Sequence, residues 1–108
     1  MKRVIDGKRY DTTTATLIGE ADNLCSGVDS KSDFAYWEAG LYRTKNGRFF
    51  LAGEGGPMSQ FSHQVGQNSR GGGEDIIPMD AAEALEWAER HLGAEAVEKH
   101  FSDQIEDA

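Results

Sequence analysis

Three histidines, one cysteine and two glycine-rich runs are the groups in this 108-residue chain whose types invite chemistry. His63, His91 and His100 stand in no spacing such as His-Glu-x-x-His, which would turn two ligands onto one helix face, so a metal centre is not expected. The single Cys25 can neither close an internal disulfide nor assemble a thiolate zinc site. Ser59, Ser62 and His63 supply a hydroxyl and a base, but no Gly-x-Ser-x-Gly elbow holds them, and adjacency in sequence rarely gives the required geometry. Gly53-Glu54-Gly55-Gly56-Pro57 and Gly71-Gly72-Gly73 lack the Gly-Lys-Ser/Thr ending of a phosphate loop, and the first places an acid where phosphate would sit. Tight turns account for both. His91 and His100 fall near the ends of predicted helices, where the dipole favours a cation and a capping role. The expectation is therefore a non-enzymatic chain with no cofactor and no metal.

Charge is distributed unevenly. Residues 1–54 hold eight acids and eight bases, whereas residues 55–108 hold eleven acids against Arg70, Arg90 and Lys99, so the C-terminal half carries the whole formal charge of −8. A field of that sign repels phosphate backbones, so direct nucleic-acid binding is not expected, although Lys2, Arg3, Lys8 and Arg9 form a small basic cluster. The natural match is a protein with a basic surface, and Glu83, Glu86, Glu89, Glu95 and Glu98 are the candidate partner-binding acids. Solubility alone also explains acidic helices. Phe34, Tyr36, Trp37, Tyr42, Phe49 and Phe50 belong mostly in a core, but strand alternation puts some on the opposite sheet face. There an uncovered Tyr36 or Trp37 would serve as a protein-binding anchor.

The elements that must position these groups follow from turn chemistry and periodicity. Asp6-Gly7 separates two short stretches and predicts a hairpin with strands near 2–5 and 8–11. The β-branched run Thr12 to Ala21 predicts a strand at about 14–21, and the turn-rich stretch 22–33, with Cys25, an exposed loop. Asn46-Gly47 lies between apolar runs and predicts the central hairpin, with Leu41, Phe49 and Leu51 facing the core. Ser59 to Gly73 reads as a mobile irregular loop suited to ordering on binding, and residues 74–79 as a short strand or extended entry, because Pro78 keeps its predecessor from a helical conformation. Asp80 and Glu83 have capping-box spacing, Ala81, Leu85, Ala88 and Leu92 recur on one face, and Gly93 is placed to end that helix in a left-handed conformation. A second helix is expected at about 94–104 from Ala94, Val97 and Phe101, followed by a fraying tail.

Strands first and helices last give the α+β class: an antiparallel β-sheet of four to six strands with two C-terminal α-helices packed on one face. One domain over 1–108, strand-rich to 79 and helical over 80–105, suits the length and the 38% of hydrophobic residues. No run is long and apolar enough for a membrane span, and the start Met1-Lys2-Arg3-Val4-Ile5-Asp6-Gly7 meets charge too early for a signal peptide, so a cytoplasmic protein is expected. An exposed hairpin edge or aromatic face would suit a homodimer as well as a different partner.

Val4-Ile5-Asp6-Gly7-Lys8-Arg9-Tyr10-Asp11-Thr12, Leu41 to Leu51 and Gly53-Glu54-Gly55-Gly56-Pro57-Met58-Ser59 resemble segments of small proteins carried by phages, plasmids and integrative elements. With Ile76-Ile77-Pro78-Met79 and the helix containing Trp87, the resemblance covers most of the chain except 22–33 and the last dozen residues. It implies a host-facing role and no catalytic residue. Small acidic proteins of such elements include anti-CRISPR inhibitors, some of which imitate DNA to occupy basic channels. The leading expectation is thus an acidic inhibitor that binds a host CRISPR effector complex and blocks its nucleic-acid binding. The alternative is an accessory or regulatory protein that binds another protein of the element through its sheet.

Overall fold

The computed structural model describes residues 1–23, 35–56, 59–61, 63–66 and 69–107, with the backbone alone at 63–66 and 69–71. Asp6 and Gly7 both take positive φ, 52° and 75°, as a tight hairpin between strands β1 (Lys2–Ile5) and β2 (Lys8–Asp11) requires. Strands β3 (Thr16–Asp22), β4 (Trp37–Arg43) and β5 (Phe49–Gly55) follow, then β6 (His63–Gly66), β7 (Ser69–Gly71) and β8 (Gly73–Met79). A four-stranded antiparallel sheet runs in the order β3-β4-β5-β8, and β1–β2 and β6–β7 are separate two-stranded pairs. Helices α1 (Ala81–His91) and α2 (Ala94–Phe101) close the chain with a 3-10 turn at Ser102–Gln104. The fold is α+β, as the order of elements predicts.

Asn46-Gly47 does mark the central hairpin, but only Gly47 has positive φ. The turn spans Thr44 to Gly47, closed by Gly47 N–H donating to Thr44 O at 2.9 Å, and Thr44 Oγ1 accepts from Arg48 N at 3.0 Å. In the resulting register Leu41 faces Leu51 and Tyr42 faces Phe50. Alternation then gives the sheet one face under the helices and another that is only partly covered. Leu41, Phe49 and Leu51 pack with Ile18, Ala84, Trp87, Ala88 and Phe101 under the helices. Phe50, Ala52 and Ile76 pack with Tyr10, whose ring meets Phe50 edge-on at 5.5 Å, so the β1–β2 hairpin covers part of the other face. Burying these side chains supplies roughly 1.5–3 kcal/mol each before the entropy of ordering the chain is counted.

Pro78 is tolerated because β8 is an edge strand, where a missing N–H breaks no ladder on its outer side. The capping box forms as its spacing predicts: Asp80 Oδ1 accepts from Glu83 N at 2.7 Å while Glu83 Oε1 accepts from Asp80 N at 3.1 Å. Three expectations need correction. The buried face of α1 is Ala84, Trp87 and Ala88, with Leu85 at its margin and Ala81 exposed, because the large indole, rather than the leucines, sits over the sheet. Gly93 is not left-handed: α1 ends at extended Leu92, and Gly93, at φ −76°, ψ 162°, is the N-cap of α2, so the two helices abut without a left-handed turn. The stretch 59–73 is not wholly irregular, since β6 and β7 form a backbone-paired hairpin whose polar residues give no apolar alternation to read. The expected loop at 22–33, with Cys25, lies outside the described residues beyond Asn23, and Asn23 stands at its base, accepting from Trp37 N and donating to Ala35 O, both at 2.8 Å.

Gly53 on β5 faces Ala39 on β4. A methyl group there would meet Glu38 O at 2.4 Å and Ala39 Cβ at 2.7 Å, within the centre of the sheet. Gly53→Ala is therefore expected to destabilise the protein by about 1–3 kcal/mol, read as a lowered urea midpoint; an unchanged midpoint would mean that the sheet opens at that point at no cost.

Candidate functional site

The five helix acids separate into two groups once the helices are built. Glu83 is held in the capping box, and Glu86 pairs with Arg90 one turn on at 2.7 Å, an exposed pair worth little to stability. Glu89, Glu95 and Glu98 are exposed on the two helices, and Glu89 and Glu98 stand on opposite walls of a cleft between α1, α2 and the tail. Sequence spacing alone places all five on the polar side, and the structure agrees on their exposure.

The two expected aromatic anchors are not exposed. Tyr36 is 4% exposed; its carbonyl accepts from Gly56 N at 2.8 Å and its hydroxyl donates to Glu38 Oε2 at 2.8 Å. Burial, then the Glu38 hydrogen bond and the charges of Glu38, Asp22 and Glu54, push its pKa up to about 12, so it stays a neutral donor. Trp37 is half-buried on the helix side, 6.3 Å from the Trp87 ring and edge-on to His91 at 5.1 Å. Residue parity carried this information: Trp37, Ala39 and Leu41 share a face, so placing Leu41 in the core places Trp37 beside it. Tyr36 lies on the other side, but the turn through Gly55, Gly56 and Ser59 covers it.

That same register reveals acids that composition did not single out. Asp22 faces Glu38, Glu38 faces Glu54 and Glu54 faces Glu74, so one cross-strand row of four carboxyl residues spans the sheet, with Glu20 in the next row. At about 4.8 Å per strand the row extends roughly 14 Å. These acids line an open groove of about 570 Å³ on the face away from the helices. The Glu38–Glu54 pairing was readable in advance, because both residues lie equally far from the turn that pairs Leu41 with Leu51; Glu74 required the β8 register.

Among the described residues no group of three or more His, Cys, Asp or Glu side chains is placed to hold a metal ion. Ser59 is part of a turn, its hydroxyl donating to Gly56 O at 2.7 Å and accepting from Phe61 N at 3.2 Å, while Ser62 and the His63 side chain lie outside the described residues. No described helix is long and apolar enough to cross a membrane. His91 and His100 do end their helices, but the expected helix-end cations need correction: burial, reinforced by Arg90, lowers the pKa of His91, and burial with Lys99 and Arg43 lowers that of His100. Desolvation and neighbouring cations oppose the dipole. Trp87 Nε1, beside His91, is buried with no hydrogen-bond partner among the described residues.

Comparisons with family models, with curated proteins and with solved structures found no match to this chain. The arrangement itself is that of an α+β fold with two acidic surfaces, one on the helices and one across the sheet.

Two outcomes are expected. Glu74→Lys turns the like-charge neighbour of Glu54 into an opposite one and should raise the urea midpoint by an amount equivalent to about 0.5 kcal/mol; a lowered midpoint would show that the row gains from its acid there. The histidines bind fewer protons folded than unfolded, so their contribution is complete above their ordinary value of 6.5 and is lost as pH falls through their depressed folded values. Stability should fall as pH drops below about 7.5 and on through 6.5, and His91→Gln with His100→Gln should shrink the drop. A drop of the same size in that double variant would assign it to other groups.

Proposed function

We propose that this chain is a non-enzymatic protein of a mobile element that binds a basic, nucleic-acid-binding surface on a host protein, with a CRISPR effector complex as the specific candidate. The candidate comes from the resemblance to small proteins of phages and plasmids. The observation that carries the reading is the exposure of Glu89, Glu95 and Glu98 on α1 and α2, in the half of the chain that holds the entire net charge of −8. Carboxylates on rigid helices present fixed negative charge to a basic channel, where they compete with phosphates and raise the association rate. The sheet row Asp22–Glu38–Glu54–Glu74 adds a second surface of the same sign. The sheet-mediated alternative relied on Tyr36 and Trp37 as exposed anchors, and Tyr36 is buried and Trp37 half-buried.

The test is a reversal of charge on the helices. Glu89→Lys, Glu95→Lys and Glu98→Lys together should abolish capture of a purified CRISPR effector complex at low salt and restore cleavage of its target in vitro, while the native chain loses affinity as salt rises. Capture by the triple variant equal to that of the native chain, at both low and high salt, would sink the reading.

A further inference from the structure

We propose that the cleft between α1, α2 and the C-terminal tail binds a basic amphipathic helical segment of the partner protein, an inference that rests on the functional reading above and names the part of the partner it engages. The cleft has a volume of about 560 Å³ and a floor of Leu85, Leu92 and Val97, which pack against the core at its margin, and Ile105, which is 39% exposed in the tail. Its rim carries Glu89 from α1, Glu98 from α2 and Glu106 from the tail, all exposed, and no lysine or arginine among the described residues lines it. Apolar floor and acidic rim together specify the occupant.

The floor would bury an apolar stripe, and the rim needs cations to either side of it, which is the pattern of a helix with leucine-like residues on one face and Lys or Arg flanking them. A phosphate backbone meets repulsion at the rim and has nothing to place on the floor. An uncharged apolar ligand would leave three carboxylates beside a newly dried surface. Leu85 on α1, Leu92 at its extended C-cap and Val97 on α2 give the floor several separate apolar positions, which match a stripe of several anchors rather than a single side chain. The other exposed large apolar residues, Met1, Val4 and Leu17, lie on the N-terminal strands and their ends rather than in this cleft. The rim charges set the approach and its salt dependence, while the floor sets the dissociation rate.

The probe is a labelled Leu/Lys peptide of roughly four helical turns with its leucines on one face, compared with a peptide of the same composition shuffled so that no face forms. Fluorescence anisotropy with the full chain should show the amphipathic peptide binding at least about tenfold more tightly than the shuffled one. Ile105→Asp should remove that advantage, and Glu98→Lys with Glu106→Lys should weaken binding about tenfold and flatten its salt dependence. Equal binding of the two peptides, or indifference to both Ile105→Asp and the Glu98/Glu106 double variant with native circular dichroism, would overturn the cleft. A concentration-dependent dimer in sedimentation equilibrium that Ile105→Asp dissolves would overturn it in favour of a second copy of the chain. Loss of effector capture on reversing Glu89, Glu95 and Glu98, with capture untouched by Ile105→Asp, would overturn the cleft and leave the functional reading standing. Cleft-specific peptide binding without effector capture by the native chain would do the reverse.

Discussion

The pairing of β4 with β5 is the constraint from which the rest of the structure follows. Side chains alternate across a sheet with a period of two, so once Leu41 faces Leu51 every neighbour on both strands has its side assigned. Leu41, Phe49 and Leu51 then form the bed for α1 and α2, and Phe50 and Ala52 the bed for Tyr10. The same parity aligns Glu38 with Glu54 and leads the acidic row out to Asp22 and Glu74 on the flanking strands. A slip of one residue would carry the leucines to the open face and the acids beneath the helices, where uncompensated carboxylates cost several kcal/mol each. Core and acidic surface are thus two results of one register.

Local chemistry was the legible part of the sequence. Asp6-Gly7 and Gly47 encode their turns in backbone angles that few other residues adopt, and Asp80 with Glu83 encodes a helix start in two hydrogen bonds. The α+β class followed from the order of such signals. What local chemistry does not carry is which side of an element the remainder of the chain covers. Tyr36 looks like an anchor until the Gly55–Gly56 turn folds over it, and Trp37 looks like one until α1 arrives with Trp87 and His91. The pair β6–β7 escaped for another reason: its hydrogen bonds are between backbone groups, and its side chains show no alternating apolar pattern. Of the candidate site, the exposure of the helix glutamates was readable from their position opposite an apolar stripe. The row across the sheet was not, because its members lie as far apart as residues 22 and 74.

Acidity on this chain has several physical uses at once. Asp80 and Glu83 stabilise the positive end of α1, Glu86 pairs with Arg90, and Glu38 accepts the buried Tyr36 hydroxyl. Glu89 and Glu98 have no such place in the helix architecture and instead flank an apolar cleft. Helix-end histidines belong to the same economy of charge: partial burial and neighbouring Arg90, Lys99 and Arg43 lower their pKa values even in a strongly anionic protein.

The N-terminal hairpin is joined to the sheet by side chains rather than by a ladder. Among the described residues strands β1 and β2 pair only with each other, and their ties across the gap include Tyr10 against Phe50 and the exposed ion pair of Arg3 with Asp75. The two ends of that ion pair are 72 positions apart in the chain, and its loss costs the sheet no strand. Opening of this hairpin would therefore expose Phe50 and break side-chain packing without removing a rung from the four-stranded sheet.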